Sequence, residues 1–354
     1  MKIGIGTYIG GAVAVVAGAF IVFGTFKPPS TVSVQHGYRG TGMDLVYHRA
    51  ELATKVAENG LPDAIPPSDP SGQKAGTIYK NLKVLGDVDI TEFGRIMASM
   101  SAWVAPTQSC NYCHSADGNF ASDALYTKKV ARRMLQMTRH INADWQTHVA
   151  KTGVTCYTCH RGQPVPSYVW FNNPGPASGM GIASAVAGDT ALPNDPFTPY
   201  LENPSEIRVV SKVVLPGTDH QSIKQTEGTY ALMMHFSNAL GVNCTFCHNT
   251  RSFSSWDQST PQRGTAWYGI RMVRDLNANF LGSLKGVFPS ARLGPHGDVP
   301  KVDCMTCHQG AYKPLLGAQM AKDYPELLET KDAQSVVDGT PAPDAPAPAE
   351  PPKP

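Results

Sequence analysis

The stretches SCNYCH (109–114), VTCYTCH (154–160), NCTFCH (243–248) and VDCMTCH (302–308) hold every cysteine of the 354-residue chain. The pairs are Cys110/Cys113, Cys156/Cys159, Cys244/Cys247 and Cys304/Cys307, and each is followed at once by a histidine: His114, His160, His248 and His308. A disulfide framework has no reason to place histidine after every second cysteine. A zinc ribbon pairs its Cys-x-x-Cys units over a shorter gap than the 42 residues between Cys113 and Cys156. Histidine is only 11 of 354 residues, so four such placements by chance have a probability on the order of one in a million. Covalent haem attachment explains the spacing. Two thiols separated by two residues span the two vinyl groups of a haem, and the adjacent imidazole then turns onto the iron. The expectation is four covalently bound c-type haems, with these histidines as proximal iron ligands.

Composition agrees with a loop-rich globular protein. Glycine and proline make up 62 residues, and at 42% hydrophobic the chain is too apolar to be wholly disordered. Four large apolar macrocycles would supply core that the side chains do not. A net charge of +2 gives no case for nucleic-acid binding. From Ile3 to Phe26 the chain runs 24 residues without a charge, between Lys2 and Lys27. As a helix this run would be about 36 Å long, enough for a bilayer core of about 30 Å. It exceeds a usual signal core and has no clear small-x-small cleavage site, so an uncleaved membrane helix is expected over 1–28. The remainder would be exported, with the N-terminus cytoplasmic. No cysteine precedes Cys110, so a lipid anchor on an N-terminal cysteine is not expected.

Successive motif histidines are 46, 88 and 60 residues apart, a short, long, short pattern that suggests two paired halves. The long interval contains a Pro/Gly-rich linker, Asn172 to Pro204, and the Pro/Ala-rich end from Gly339 is expected to be disordered. Residues 95–104 (RIMASMSAWV) align with 231–240 (ALMMHFSNAL), matching Met97 with Met233. Residues 135–142 (LQMTRHIN) resemble 270–277 (IRMVRDLN), which sets Met134 against Gly269. Three motifs therefore have a preceding methionine at a comparable place, and the fourth has none. A thioether is a natural sixth ligand to haem iron, although a methionine on an amphipathic helix is more often core filler. Position alone does not separate Met97 from Met100, or Met134 from Met137. For the fourth site the spare histidines are His36, His48, His140, His148, His220, His235 and His296. His148, ending a helix-like run before the second motif, is the favoured donor.

These residues resemble a known family. The stretches EFGRIMASMSAWVAPTQSCNYCH (92–114), YTKKVARRMLQMTRHINADWQTHVAKTGVTCYTCHRG (126–162), NALGVNCTFCHN (238–249) and VDCMTCHQG (302–310) resemble the tetrahaem cytochrome subunit of the purple-bacterial photosynthetic reaction centre. The likeness extends over roughly residues 30 to 316. It implies His/Met ligation by Met97 with His114, Met134 with His160 and Met233 with His248, and bis-His ligation by His148 with His308. It implies a mainly α fold with long loops and two pseudo-symmetric dihaem halves, to which the uncharged run of this sequence adds the N-terminal transmembrane helix, a departure from the family. The expected segments are a 1–28 anchor, a 29–91 periplasmic segment, dihaem halves at 92–171 and 205–316 around the 172–204 linker, and a 317–354 tail. The implied role is electron transfer without catalysis, re-reducing the photo-oxidised special pair from the periplasmic side of the inner membrane. Implied partners are the reaction-centre core subunits, the light-harvesting antenna and a soluble donor, either a cytochrome c or a high-potential iron–sulfur protein. A quinol-oxidising tetrahaem cytochrome fits less well, because such proteins are shorter and rely on histidine ligation. A multihaem reductase would need one open iron.

Overall fold

In the computed structural model, residues 4–25, 30–34, 45–172, 195–209 and 222–328 are described. The fold within them is mainly helical. Its helices are α1 (Ile5–Thr25), α2 (Arg49–Glu58), α3 (Ala75–Ile78), α4 (Ile90–Val104), α5 (Tyr126–Asp144), α6 (Gln146–Val149), α7 (Cys156–His160), α8 (Ile223–Leu240), α9 (Pro261–Asp275) and α10 (Cys304–His308). One two-stranded antiparallel sheet pairs β1 (Thr31–Val34) with β2 (Leu45–His48), Thr31 facing His48. The helix α1 covers 21 residues of the uncharged N-terminal run. Among the described residues no helix is long and apolar enough to cross a membrane. The fold therefore does not by itself establish the expected span.

Local sequence explains the long helices. Asp89 caps α4 by accepting from Thr91 N at 2.9 Å, and α4 ends where Pro106 restricts Ala105. Its buried face is Ile96, Ser99 and Trp103, a helical spacing. Ser222 and Gln225 form a reciprocal capping box at the start of α8. That helix stops at Gly241, whose φ of 64° is left-handed and whose missing Cβ leaves room for the Gly310 carbonyl. Pro261 opens α9 at a position where its lost N–H costs nothing.

The helices bury three apolar clusters. One joins Val84, Leu85, Ile96, Trp103, Leu135, Cys156, Tyr324 and Leu327. A second joins Trp170, Tyr200, Leu201, Leu232, Ile270 and Val273, and a third Ile141, Trp145, Met272, Leu276 and Phe280. Two segments take a larger part than their sequence suggests. Residues 195–204, the described end of the expected linker, form a turn that buries Tyr200 and Leu201 against α9. Residues 320–328 return to α4 and α5, where Tyr324 Oη meets Ser99 Oγ at 2.7 Å and Leu327 O accepts from Asn142 at 2.7 Å. Most of residues 172–194 and everything after residue 328, including the tail from Gly339, lie outside the described residues.

His140 shows how one spare histidine is used. Its Nε2 is 2.6 Å from Asp275 Oδ2 and its Nδ1 is 2.6 Å from Asp144 Oδ2, so neither nitrogen is left for iron. Burial favours the neutral ring, yet Asp275 and Asp144 together raise its pKa above the ordinary value. Burial likewise opposes charge on Asp275, but His140, Asn279 and Trp145 hold its pKa below the carboxylate range. The imidazole's contribution is full below about pH 6.5 and is lost as pH rises through its folded pKa; the carboxylate's is full above about pH 4 and is lost on acidification. Asp275→Asn should therefore cost about 2 kcal/mol near pH 6 and much less at pH 9, read from denaturant unfolding across that range.

Candidate cofactor site

The four motifs take two local forms. The second and fourth are the five-residue helices α7 and α10, each closed by a reciprocal N-terminal box: Thr155 with Thr158, and Asp303 with Thr306. Each ends on a left-handed residue, Arg161 (φ 50°) and Gln309 (φ 47°), followed by a left-handed glycine. The first and third motifs are tighter turns, Ser109–Tyr112 and Cys244–Phe246. Gly162 N donates to Trp103 O and Gly310 N to Ala239 O, both at 2.8 Å. Trp103 lies six residues after Met97, and Ala239 six after Met233.

All eight cysteines, the four motif histidines, Met97, Met134, Met233 and His148 line one cavity of about 1580 Å³. At about 24 cal/mol per Å³, holding that volume open as empty space would cost tens of kcal/mol, well beyond a net stability of about 5–15 kcal/mol. Large apolar groups in covalent reach of the cysteines fit it. Burial pushes the thiols of Cys113, Cys156 and Cys247 up to about 11, which keeps them neutral in this apolar setting. Among the described residues no three His, Cys, Asp or Glu side chains converge to hold a bare metal ion.

The motif histidines are oriented by the backbone. Nδ1 faces Gln163 O at 2.8 Å in His160, Phe253 O at 2.9 Å in His248 and Ala311 O at 2.9 Å in His308. With Nδ1 donating, the Nε2 lone pair is free for a metal. His114 differs, its buried Nδ1 lacking a well-formed bond of this kind although the Phe120 backbone still acts on it.

His148 and His308 are brought together, with ring centres 6.1 Å apart. Two imidazoles on opposite faces of one iron, each through a bond of about 2 Å, would have centres roughly 6 Å apart. His148 crosses from α6 onto α9, where its Nδ1 meets Thr265 O at 2.9 Å. The ring occupies the space beside Gly269, since a Cβ there would lie 2.6 Å from His148 Cε1. Gly269 is the residue that aligns with Met134. The fourth site lacks its methionine where an imidazole from another helix enters.

Met233 lines the cavity, whereas Met234 does not and is 37% exposed. Met97 and Met100 both line it, as do Met134 and Met137. A hydroxyl four residues on sets two of these apart. Ser101 Oγ donates to Met97 O and Thr138 Oγ1 to Met134 O, both at 3.0 Å. Met100 and Met137 are followed at that distance by Val104 and Ile141, and Met233 by Ser237. Of the other spare histidines, His48 and His296 are exposed, and His36 and His220 lie outside the described residues.

One arrangement departs from the expectation for the cysteines. Cys159 and Cys307 are joined as a disulfide, and a bridged sulfur cannot also form a thioether. The reason is packing. Helices α7 and α10 abut with these two Cα atoms 4.3 Å apart, so the second sulfurs of two motifs meet. Haem attachment there requires both thiols reduced. The other six cysteines are free.

Cys-x-x-Cys-His helices gathered on one apolar cavity define a c-type cytochrome. The profile of the family described as "Photosynthetic reaction centre cytochrome C subunit" matches residues 27–328. The chain is 54% identical over 325 residues to the photosynthetic reaction center cytochrome c subunit of Rubrivivax gelatinosus, covering 89% of this chain and 88% of that one. It is 47% identical over 345 residues to the subunit of that name from Thermochromatium tepidum, covering 96% and 85%, and 42% identical over 340 residues to that of Roseobacter denitrificans, covering 89% and 91%. The chain belongs to the family of photosynthetic reaction-centre cytochrome c subunits. It is accordingly an electron-transfer component with covalent c-type haem, not an enzyme.

Proposed function

We propose that the chain holds four haems and relays single electrons from a soluble periplasmic carrier to the photo-oxidised special pair. The observation that carries this reading is the convergence of every cysteine, every motif histidine and all four candidate sixth ligands on one continuous cavity. Haem iron, when bound, supplies reversible one-electron exchange. Cys110/Cys113, Cys156/Cys159, Cys244/Cys247 and Cys304/Cys307 hold the rings. Met97 with His114, Met134 with His160, Met233 with His248 and His148 with His308 would hold the four irons. No position is then left for substrate, which disfavours a reductase.

The two local forms of the motifs, first like third and second like fourth, support two related dihaem halves at 92–171 and 205–316. So do the matched contacts of Gly162 with Trp103 and Gly310 with Ala239. The contact between α7 and α10 favours passage between halves from the second site to the fourth. The 24 uncharged residues 3–26 and the 21-residue helix within them support a membrane anchor, leaving the haem domain in the periplasm beside the core and antenna subunits. The donor would be a small cytochrome c or a high-potential iron–sulfur protein.

Flash excitation of membranes should produce a transient loss of ferrous-haem absorbance as electrons leave this subunit. Membranes in which the flash oxidises the special pair but leaves haem absorbance unchanged would sink the assignment.

A further inference from the structure

The residue preceding the first cysteine of each motif is Ser109, Thr155, Asn243 or Asp303. Three are neutral. The fourth is a carboxylate that is only 6% exposed and lines the same cavity as the cysteines after it. Asp303 Oδ1 accepts from Thr306 N at 3.0 Å and from Thr306 Oγ1 at 3.3 Å, the contacts that close α10. At α7 Thr155 N donates to Thr158 Oγ1 at 3.0 Å, and that helix forms with a neutral residue in the same place. The cap therefore does not demand an acid.

The cations nearby do not cancel that charge selectively. Lys301, two residues before, is committed to Asp298 at 2.5 Å. Arg161 reaches the α10 carbonyl of Cys307 at 3.4 Å but belongs equally to α7, following His160 directly. His235 Nε2 lies 3.9 Å from Asp303 Oδ1, too far for a hydrogen bond. From Asp303 to His308 is five residues, about 7.5 Å along a helix, within range of a Coulomb interaction that burial screens weakly.

We propose that Asp303 is a buried carboxylate whose negative charge lowers the reduction potential of the haem at the fourth motif relative to that at the second. This rests on haem attachment at Cys304 and Cys307 with His308 as ligand. The step affected is the addition of one electron to a ferric iron to give ferrous, with no bond made or broken. A buried anion disfavours that added negative charge. Burial raises the Asp303 carboxyl to about 6, above which it is predominantly ionised. The position thus separates the potentials of two neighbouring sites whose attachment helices are otherwise built alike.

The test is an equilibrium redox titration of the purified holoprotein in the dark, following each haem by its optical and electron-paramagnetic signature. Asp303→Asn keeps a good helix cap and removes the charge. Its bis-imidazole haem should be easier to reduce by about tenfold in equilibrium constant, or about 59 mV for one electron. Thr155→Asp, the reciprocal change, should make the second-motif haem about tenfold harder to reduce and leave the fourth unchanged. Unaltered potentials in both holoproteins would overturn the proposal. So would loss of the haem from Asp303→Asn in place of a shift, because the role would then be structural. No reaction centre is needed, so a failed flash experiment and a failed titration are distinguishable.

Discussion

Replacing Gly269 by alanine is expected to drive the His148 imidazole off the face of the fourth haem and abolish its bis-imidazole spectrum. The new Cβ would lie 2.6 Å from His148 Cε1, 2.9 Å from Nδ1 and 3.2 Å from Nε2. The ring cannot slide along α9 without breaking the 2.9 Å contact of Nδ1 with Thr265 O. Helix propensity works in the opposite direction, since alanine favours a helix interior over glycine by about 1 kcal/mol. A lost signal would therefore report steric displacement, not a weakened α9. The expected result is a fourth site that is five-coordinate or holds a weaker ligand, with more than a tenfold change in its reduction equilibrium and the other three sites unaffected. An unchanged low-spin spectrum and potential in Gly269→Ala would show that His148 is not the sixth ligand.

Gly269 also marks how far the sequence could be read. Its alignment with Met134 was visible as an absence, a repeat missing one methionine. His148 could be favoured for that place from its position before the second motif, but not its entry beside Gly269, because the imidazole arrives from α6, more than a hundred residues earlier in the chain. Motif chemistry is local, and so the expected attachment points, the proximal histidines and the short, long, short spacing can all be written down from the sequence. Composition misled where packing is long-range. Residues 195–204 have the proline and small polar residues of a linker, yet Leu201 among them is fully buried against Leu232 and Val273. Tyr324 and Leu327, beyond the last motif, close the first cluster with Trp103 and Leu135. The meeting of Cys159 with Cys307 was equally hidden, since 148 residues separate them and only the contact of α7 with α10 brings them together. Asp303 reads in the sequence as an ordinary polar residue of its motif, because its burial is a property of the fold.

Removing the attachment points of the second motif, with Cys156→Ala and Cys159→Ala together, should have the largest effect on the protein as a whole. Cys156 is buried within the cluster of Ile96, Trp103, Leu135 and Leu327, and α7 packs against α4, α5 and α10. Leaving part of the 1580 Å³ cavity unfilled removes packing from its lining at a cost of about 3–5 kcal/mol or more, large against a net stability of about 5–15 kcal/mol. Partial collapse of the walls lowers that figure, but collapse here would pull α7 away from α10 and disturb the fourth site too. The variant should therefore accumulate poorly and hold fewer than three covalent haems per chain. Cys110→Ala with Cys113→Ala makes the same chemical change at the first motif, where Cys110 is exposed and the turn packs mainly on α4. That variant should keep three haems and most of its thermal stability. Haem content per chain and the unfolding temperature of both variants test this order. Equal stability of the two would show that the second motif is not the packing centre inferred from α7, and four covalent haems in either would refute attachment at these cysteines.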